Sequence, residues 1–443
     1  MMHAFWLLVL PAALLAAPAS AEITDAQRLE VYREFRALFD ARRYEEALPL
    51  AEKLVEMTEE QYGSNARALV NPLANVGTTY YRLGNYPAAE QHYLRSVEIL
   101  ESIGSTADRQ LVRPLHGLGA TYVATGQYEQ AGIVLRRAVD LSRNLDGLFN
   151  VGQLEMLDLL ITCYATLGLQ ADAEKEHLYA VRIAENAYGR RDPRMLGPLD
   201  RYASWLESVR RYTSARAIYA RALSIAEEIG GQGGTLAVNP LLGIARTYRL
   251  EFTNGPEEVV VDQSDAFGPT RGAIPDIADS QRLNPDGERA LQMALEALEK
   301  AEPVDHARLG QALVELGDWY LTGNSLTKAM DAYRRAWKEL SLGGSTEILE
   351  APRMLAYRPP TSSVTRSRLD PAEAQERFVE VSFTVTTTGR TANVQVVGGN
   401  GTESQRRAVV NAVRKARYAP RLADGEAVET TDVRLTERLL SRE

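Results

Sequence analysis

The sequence predicts a mainly α-helical protein, in which about seven stacked helix pairs form a right-handed superhelix and a small α+β domain follows. Three observations support this prediction. Residues of the same character recur every 42 positions through most of the chain, proline and aromatic residues divide each unit into two helices, and strand-like alternation replaces this pattern near the C-terminus.

Composition limits what the chain can be and what it can bind. Its 443 residues are 45% hydrophobic and 25% charged, which is ordinary for a folded protein with more than one core. A formal net charge of -9 argues against nucleic acid or an anionic membrane as the partner. The only cysteine, Cys163, excludes an intramolecular disulfide and a thiolate metal cage. Its 42-residue spacing from Thr121 predicts a buried thiol in a helix.

The first residues predict export. Ala4 to Pro18 are apolar, and Ala19-Ser20-Ala21 supplies the small residues that a signal peptidase accepts before Glu22. We therefore predict a cleavable signal peptide at residues 1–21. An uncleaved inner-membrane anchor is the alternative, although the apolar stretch is shorter than the roughly 20 residues that span a bilayer.

Proline marks the start of each unit's first helix, because it is best tolerated in a first turn. Steps of 42 residues connect Pro72, Pro114, Met156, Pro198 and Pro240. A column of mostly small residues follows five positions later, at Gly77, Gly119, Ile161, Ala203 and Ala245. A mostly tyrosine column comes next, at Tyr80, Tyr122, Tyr164, Leu206 and Tyr248.

The second helices carry columns of their own. Tyrosine recurs in the turn between the two helices, at Tyr44, Tyr86, Tyr128 and Tyr212. Alanine recurs three positions later, at Ala47, Ala89, Ala131, Ala173 and Ala215. The alanine column allows two helix backbones to approach closely, so each unit is predicted to be a helix hairpin.

The 42-residue register breaks between Phe252 and Gly287, which we interpret as an insertion at 252–287. It contains a predicted short strand at Glu257–Val261 and turn sequences at Gly268-Pro269 and Asn284–Gly287. Two interpretations stay open, a cover over a binding groove and a disordered excursion. A last repeat is predicted from Gly317–Asn324, with its first helix beginning near Asp305.

Residues Tyr80–Glu90 resemble the tetratricopeptide repeat, particularly the 42-residue kind found in kinesin light chains, and Tyr122–Ala131 repeat the match. The array is assigned to residues 22–342. The resemblance implies that the first helices line a concave groove that binds extended or helical peptides. By position, the partner-binding candidates are Asn71, Asn75, Thr78, Arg82, Arg113 and Asn239.

Residues 343–371 contain four prolines and no sustained period, so they are predicted to be a linker. In the domain at 372–443, Val379, Val381, Phe383 and Val385 alternate with polar residues, as in a half-buried strand. A second strand follows the turn at Gly389. Thr402 and Gln405 then form a capping box for a helix, and a third strand carries Val433 and Leu435.

This order resembles the C-terminal domain of TonB, the periplasmic energy transducer. The residues that carry the likeness are Val381–Val385, Gly389-Arg390, Val394, Ala412–Pro420 and Asp424-Gly425. In that family the domain pairs its sheet edge with a strand of an outer-membrane receptor. The resemblance therefore implies a periplasmic location and a binding edge at Thr430–Leu439, with Thr430, Asp432 and Arg434 as candidates.

No catalytic or metal-binding pattern accompanies these modules. The five histidines include no pair spaced i, i+4, and no nucleophile is combined with a base in a recognisable order. We therefore predict no enzyme activity, cofactor, metal, nucleic acid or small-molecule substrate. The predicted function is a periplasmic adaptor that binds other proteins or peptides and is linked to envelope transport. The alternative is a TonB-type energy-transducing component for uptake through outer-membrane receptors.

Overall fold

The computed structural model describes residues 24–231, 233–255, 283–360 and 375–441. The predicted signal peptide at 1–21, the strand at Glu257–Val261 and the turn at Gly268-Pro269 lie outside these ranges. The chain divides into two compact units, Met1–Ile183 and Ala184–Glu443.

The first unit consists of consecutive helix hairpins. From the first helix to the seventh, each helix packs on the next one, both within a hairpin and from one hairpin to the following one. The helices are α1 (Asp25–Asp40), α2 (Tyr44–Tyr62), α3 (Val70–Arg82), α4 (Tyr86–Ser102), α5 (Val112–Ala124), α6 (Tyr128–Asp146), α7 (Leu154–Thr166) and α8 (Gln170–Tyr188), of which the last extends across the boundary between the units. A short 3-10 turn precedes α3, α5 and α7.

The second unit continues the same pattern. Its helices are α9 (Leu196–Ser208), α10 (Tyr212–Gly230), α11 (Val238–Asn254), α12 (Pro285–Glu299), α13 (His306–Thr322) and α14 (Leu326–Leu342). Asp305 caps α13, which confirms the predicted start of the last repeat. Fourteen helices of the described residues thus follow one another in seven pairs, as predicted.

The insertion is shorter than the sequence indicated. Helix α11 continues to Asn254, and Asn284–Gly287, predicted to be a loop, begins α12. The Asn284 side chain accepts the N–H of Asp286 at 3.0 Å, and Pro285 takes the first helical position. Asparagine followed by proline is therefore a helix start here.

The 42-residue columns correspond to contacts between helices. The five alanines from Ala47 to Ala215 are fully buried. A methyl group on Gly117 would lie 2.2 Å from the ring of Tyr93, and one on Gly243 would lie 2.4 Å from the ring of Tyr219. These glycines therefore allow a tyrosine of one repeat to pack on the next repeat. Cys163 is buried in α7, as predicted.

The C-terminal module follows the predicted order and adds four short strands. Its elements are β1 (Arg353–Ala356), β2 (Gln375–Val385), β3 (Thr391–Gly399), α15 (Glu403–Lys415), β4 (Arg417–Ala419), β5 (Arg421–Ala423), β6 (Glu426–Val428) and β7 (Thr430–Ser441). Strand β2 lies between β3 and β7 in an antiparallel sheet. The alternating residues Val379 to Val385 are buried with Val409 and Val413 of α15. The Thr402–Gln405 capping box forms as predicted.

Strand β1 was not predicted, because it lies in the segment assigned to the linker. It pairs antiparallel with β4, and Arg353 lies opposite Ala419. Leu355 is buried together with Leu422 in the same core as α13 and α14. The C-terminal module is therefore packed on the last repeat through long-range contacts, which a local sequence pattern does not reveal.

Candidate protein-binding surfaces

Four of the candidate residues form one stripe on α3, because Asn71, Asn75, Thr78 and Arg82 are spaced by three or four residues. Asn71 and Arg82 are exposed, but Asn75 is 4% exposed and Thr78 is half-buried. First helices also contact one another in sequence, α3 with α5 and α5 with α7. The stripe therefore faces the side of the unit that the first helices share.

Asn75 and Thr78 make contacts within the array. The guanidinium Nη2 of Arg113 donates to Oδ1 of Asn75 at 2.7 Å, across the boundary between α5 and α3. The hydroxyl of Tyr93 donates to Oγ1 of Thr78 at 2.9 Å. Asn75, a partner-binding candidate from the sequence, is buried and orients Arg113 of the next repeat.

The same side carries cations without carboxylate partners. No carboxylate among the described residues forms an ion pair with Arg82 or Arg113, and both residues are exposed. Desolvation, with a smaller contribution from Arg36 of α1, lowers the pKa of the Arg113 guanidinium. Tyr32 of α1 is 40% exposed and lies close enough to Arg113 for its hydroxyl to raise the pKa of the guanidinium slightly. We call Tyr32, Arg36, Arg82 and Arg113 the N-terminal cationic face, in which Arg36 alone forms an ion pair among the described residues, with Asp40 at 2.9 Å.

The arginines of α11, a first helix of the second unit, form ion pairs with the first helices on either side. Arg246 of α11 donates to both carboxylate oxygens of Glu207 on α9, at 2.8 and 3.2 Å. Arg249, also on α11, donates to Glu315 of α13 at 3.2 Å. The candidate Asn239 is exposed and accepts from Arg308 at 3.2 Å. Both arginines of α11 therefore already have carboxylate partners.

Asp318 of α13 takes its cation from outside the helical array. Its carboxylate is 2% exposed and receives both Nη atoms of Arg353 from β1, at 2.9 and 2.6 Å. The hydroxyl of Tyr333 on α14 also donates to it at 2.7 Å. We call Asp318, Tyr333 and their arginine partner the guanidinium site. Sequence analysis missed it, although the fixed spacing of 15 residues from a polar side chain to a tyrosine was a usable signal.

The last strand is at the edge of the sheet. Strand β7 pairs with β2 along its length, and no strand of the described residues lies on its other side. Asp432 has a positive φ of 54° in a bulge and accepts from Ser382 at 2.8 Å. The Ser382 hydroxyl and Arg434 lower the pKa of Asp432. Thr430 is half-buried at the start of the strand.

Two groups of family models match these regions. Residues 36–102 and 112–145 match tetratricopeptide repeat models, and residues 372–435 match the model of the Gram-negative bacterial TonB protein C-terminal domain. The chain thus contains tetratricopeptide repeats and a TonB-type C-terminal domain. Both are non-catalytic interaction modules, so their combination indicates protein–protein interaction. In the described residues, no group of three or more His, Cys, Asp or Glu side chains is arranged to hold a metal ion.

Several solved structures have similar helical repeats. A putative kinesin light chain from Podosopora anserina is 16% identical, with 46% of this chain and 96% of that chain covered and a TM-score of 0.42. A tetratricopeptide repeat protein from Cytophaga hutchinsonii is 15% identical, with 72% and 97% covered and a TM-score of 0.44. No curated protein sequence matches the chain significantly.

The described helices were compared with the length and apolarity of membrane-spanning segments. None of them combines the length and apolarity that crossing a bilayer requires. Residues 1–23, where the sequence predicts the exported or anchored segment, are not among those described.

Proposed function

We propose that this chain is a non-enzymatic adaptor in the periplasm that binds one partner on the N-terminal cationic face and another along the edge of β7. The proposal is carried by the match to the TonB-type domain together with the position of β7, which lies at one edge of the sheet and is paired on one side only, as β3 is at the opposite edge. An edge strand offers a row of backbone donors and acceptors to an incoming strand. Its exposed side chains, including Arg434 and Thr436, flank that row and would select the partner.

The N-terminal cationic face favours a partner that contributes carboxylates. Arg113 is held in place by Asn75 yet lacks an anionic partner, so binding an acidic side chain would not require it to leave an existing ion pair. The exposed ring of Tyr32 adds contact area with little loss of side-chain freedom. Asn71 and Arg82 extend this surface along α3.

Site-specific crosslinking in cells tests the edge. A photo-reactive residue would replace Thr436 on β7 or, as the matched control, Gln395 on β3, since both side chains are exposed on the same sheet. Pairing of the partner with β7 predicts protein adducts from position 436 and few from position 395, which lies on β3 at the opposite edge of the sheet. Equal yields from the two positions, or none from 436, would remove β7 as the binding edge.

Charge reversal tests the other surface. Arg113→Glu should reduce retention of the array's partner at least tenfold, while adducts captured at position 436 remain. Lys175→Glu is the matched control, because this exposed lysine lies on α8, outside the stripe. A partner retained equally by both variants would contradict the assignment of the N-terminal cationic face.

The alternative, an energy-transducing component for outer-membrane receptor uptake, is favoured by the TonB-type match and its edge strand. Force transmission requires an anchor in the inner membrane. N-terminal sequencing of the mature protein and membrane fractionation decide between the two functions. A mature start at Glu22 in a soluble fraction supports the adaptor, whereas an intact, membrane-bound N-terminus supports transduction.

A further inference from the structure

The last repeat differs from earlier repeats at the position that meets the buried tyrosine of its second helix. In the second repeat Tyr93 donates to the hydroxyl of Thr78, and in the fifth Tyr219 lies 3.2 Å from the hydroxyl of Ser204. The tyrosine follows its partner by 15 residues in both cases. The last repeat keeps the spacing but places a carboxylate, Asp318, where the others have a neutral group.

This carboxylate suits a guanidinium. A buried carboxylate is strongly destabilising unless a charge and several hydrogen bonds compensate it. Arg246 and Arg249 are engaged by Glu207 and Glu315, and the only ion pair of Asp318 in the described residues is the bidentate one with Arg353. Two parallel N–H donors match the geometry of an arginine and not that of a lysine.

The arginine arrives on an extended segment that crosses two first helices. Arg353 contacts α13, and Arg358 donates through Nε to the backbone oxygen of Thr253 on α11 at 3.0 Å. Between them, Leu355 is 6% exposed, while Met354 on the opposite side is 46% exposed. The segment therefore presents an arginine and an aliphatic side chain to the helices, as a bound peptide would.

We propose that the surface of α11 and α13 around Asp318 is a binding site for an extended peptide that carries arginine followed, two residues later, by an aliphatic side chain. The chain fills this site with its own residues 353–358. A partner peptide of the same chemistry competes with that segment and loosens the C-terminal module from the last repeat. The proposal does not depend on partner binding at the N-terminal cationic face or along the edge of β7.

Hydrogen exchange of the full chain tests whether Arg353 holds the segment. Arg353→Ala removes the guanidinium, and Asp318→Ser removes the carboxylate but keeps a hydroxyl for Tyr333, as in the fifth repeat. Both should raise amide exchange of β1 and β4 at least tenfold. Arg334→Ala is the control, since it breaks an exposed ion pair with Glu426 in the same contact region. Unchanged exchange in Arg353→Ala would overturn the proposal.

A labelled synthetic peptide with the sequence of residues 351–358 tests the site itself. It should bind the Arg353→Ala chain at least tenfold more tightly than the wild-type chain, whose site is filled. The Asp318→Ser chain should not bind this peptide. A peptide with alanine at the position of Arg353 should not bind any of the chains. Binding that is equal in the Arg353→Ala and Asp318→Ser chains, or absent from the Arg353→Ala chain, would contradict a guanidinium site.

Discussion

In the N-terminal unit Arg113 of α5 donates to a neutral amide oxygen, whereas in the C-terminal unit Arg246 and Arg249 of α11 meet carboxylates, and Asp318 of α13 meets Arg353 of β1. Both surfaces are built on the same helix hairpins, and both pack a tyrosine against a glycine of the next repeat. The difference lies in a few charged positions. One framework therefore yields a surface available to another protein and a surface that holds the chain's own strand.

The largest expected effect comes from the ion pair that distinguishes the C-terminal surface. Arg353→Ala leaves the carboxylate of Asp318 buried without its cation, which should lower the free energy of unfolding by about 2 to 4 kcal/mol. Arg334→Ala should change it little, because its partner Glu426 is exposed and water solvates both groups. Denaturant unfolding of the two variants measures the difference. Equal losses would contradict a special role for Arg353.

The framework that the two surfaces share gives a smaller effect. Gly117→Ala and Gly243→Ala each force a methyl group into a tyrosine ring and should destabilise by about 1 to 3 kcal/mol. Gly132→Ala, in the second turn of α6, adds a methyl group that meets nothing within 4 Å outside its own helix and should stabilise the chain by about 0.5 to 1 kcal/mol. Thermal unfolding distinguishes the three variants. If only one of the variants Gly117→Ala and Gly243→Ala were destabilised, the tyrosine–glycine contacts of the two units would not be equivalent.

The single thiol provides a report on the N-terminal unit alone. Burial raises the pKa of Cys163 from its ordinary value of 9.0 to about 11. The protonated thiol is therefore favoured in the folded state, and this contribution to stability is present below pH 9 and is lost as the pH rises towards 11. Alkylation of the native chain between pH 8 and 10 should be slower than that of the unfolded chain. Arg353→Ala should leave the rate unchanged, and faster labelling would show that the two units are coupled.

Much of the fold follows from local sequence patterns. The features that these patterns did not predict depend on residues far away in the sequence. Repeated proline, alanine and tyrosine columns specify hairpins because each recurs at the same helix contact. The sequence Arg353–Ala356 has no period of its own, and its strand conformation depends on Asp318 earlier in the chain and on β4 later. Periodicity places Asn75 in one stripe of α3 with Asn71, Thr78 and Arg82, but its contact with Arg113 depends on the next repeat.

Photo-crosslinking at equivalent positions of the two surfaces is the most direct test of this difference. Arg82 on α3 and Leu250 on α11 are separated by four 42-residue steps. A photo-reactive residue at position 82 should form adducts with another protein, whereas one at position 250 should form adducts mainly within the chain, to residues 353–358. Adducts with another protein that are equally abundant at both positions, or more abundant at 250, would contradict the account.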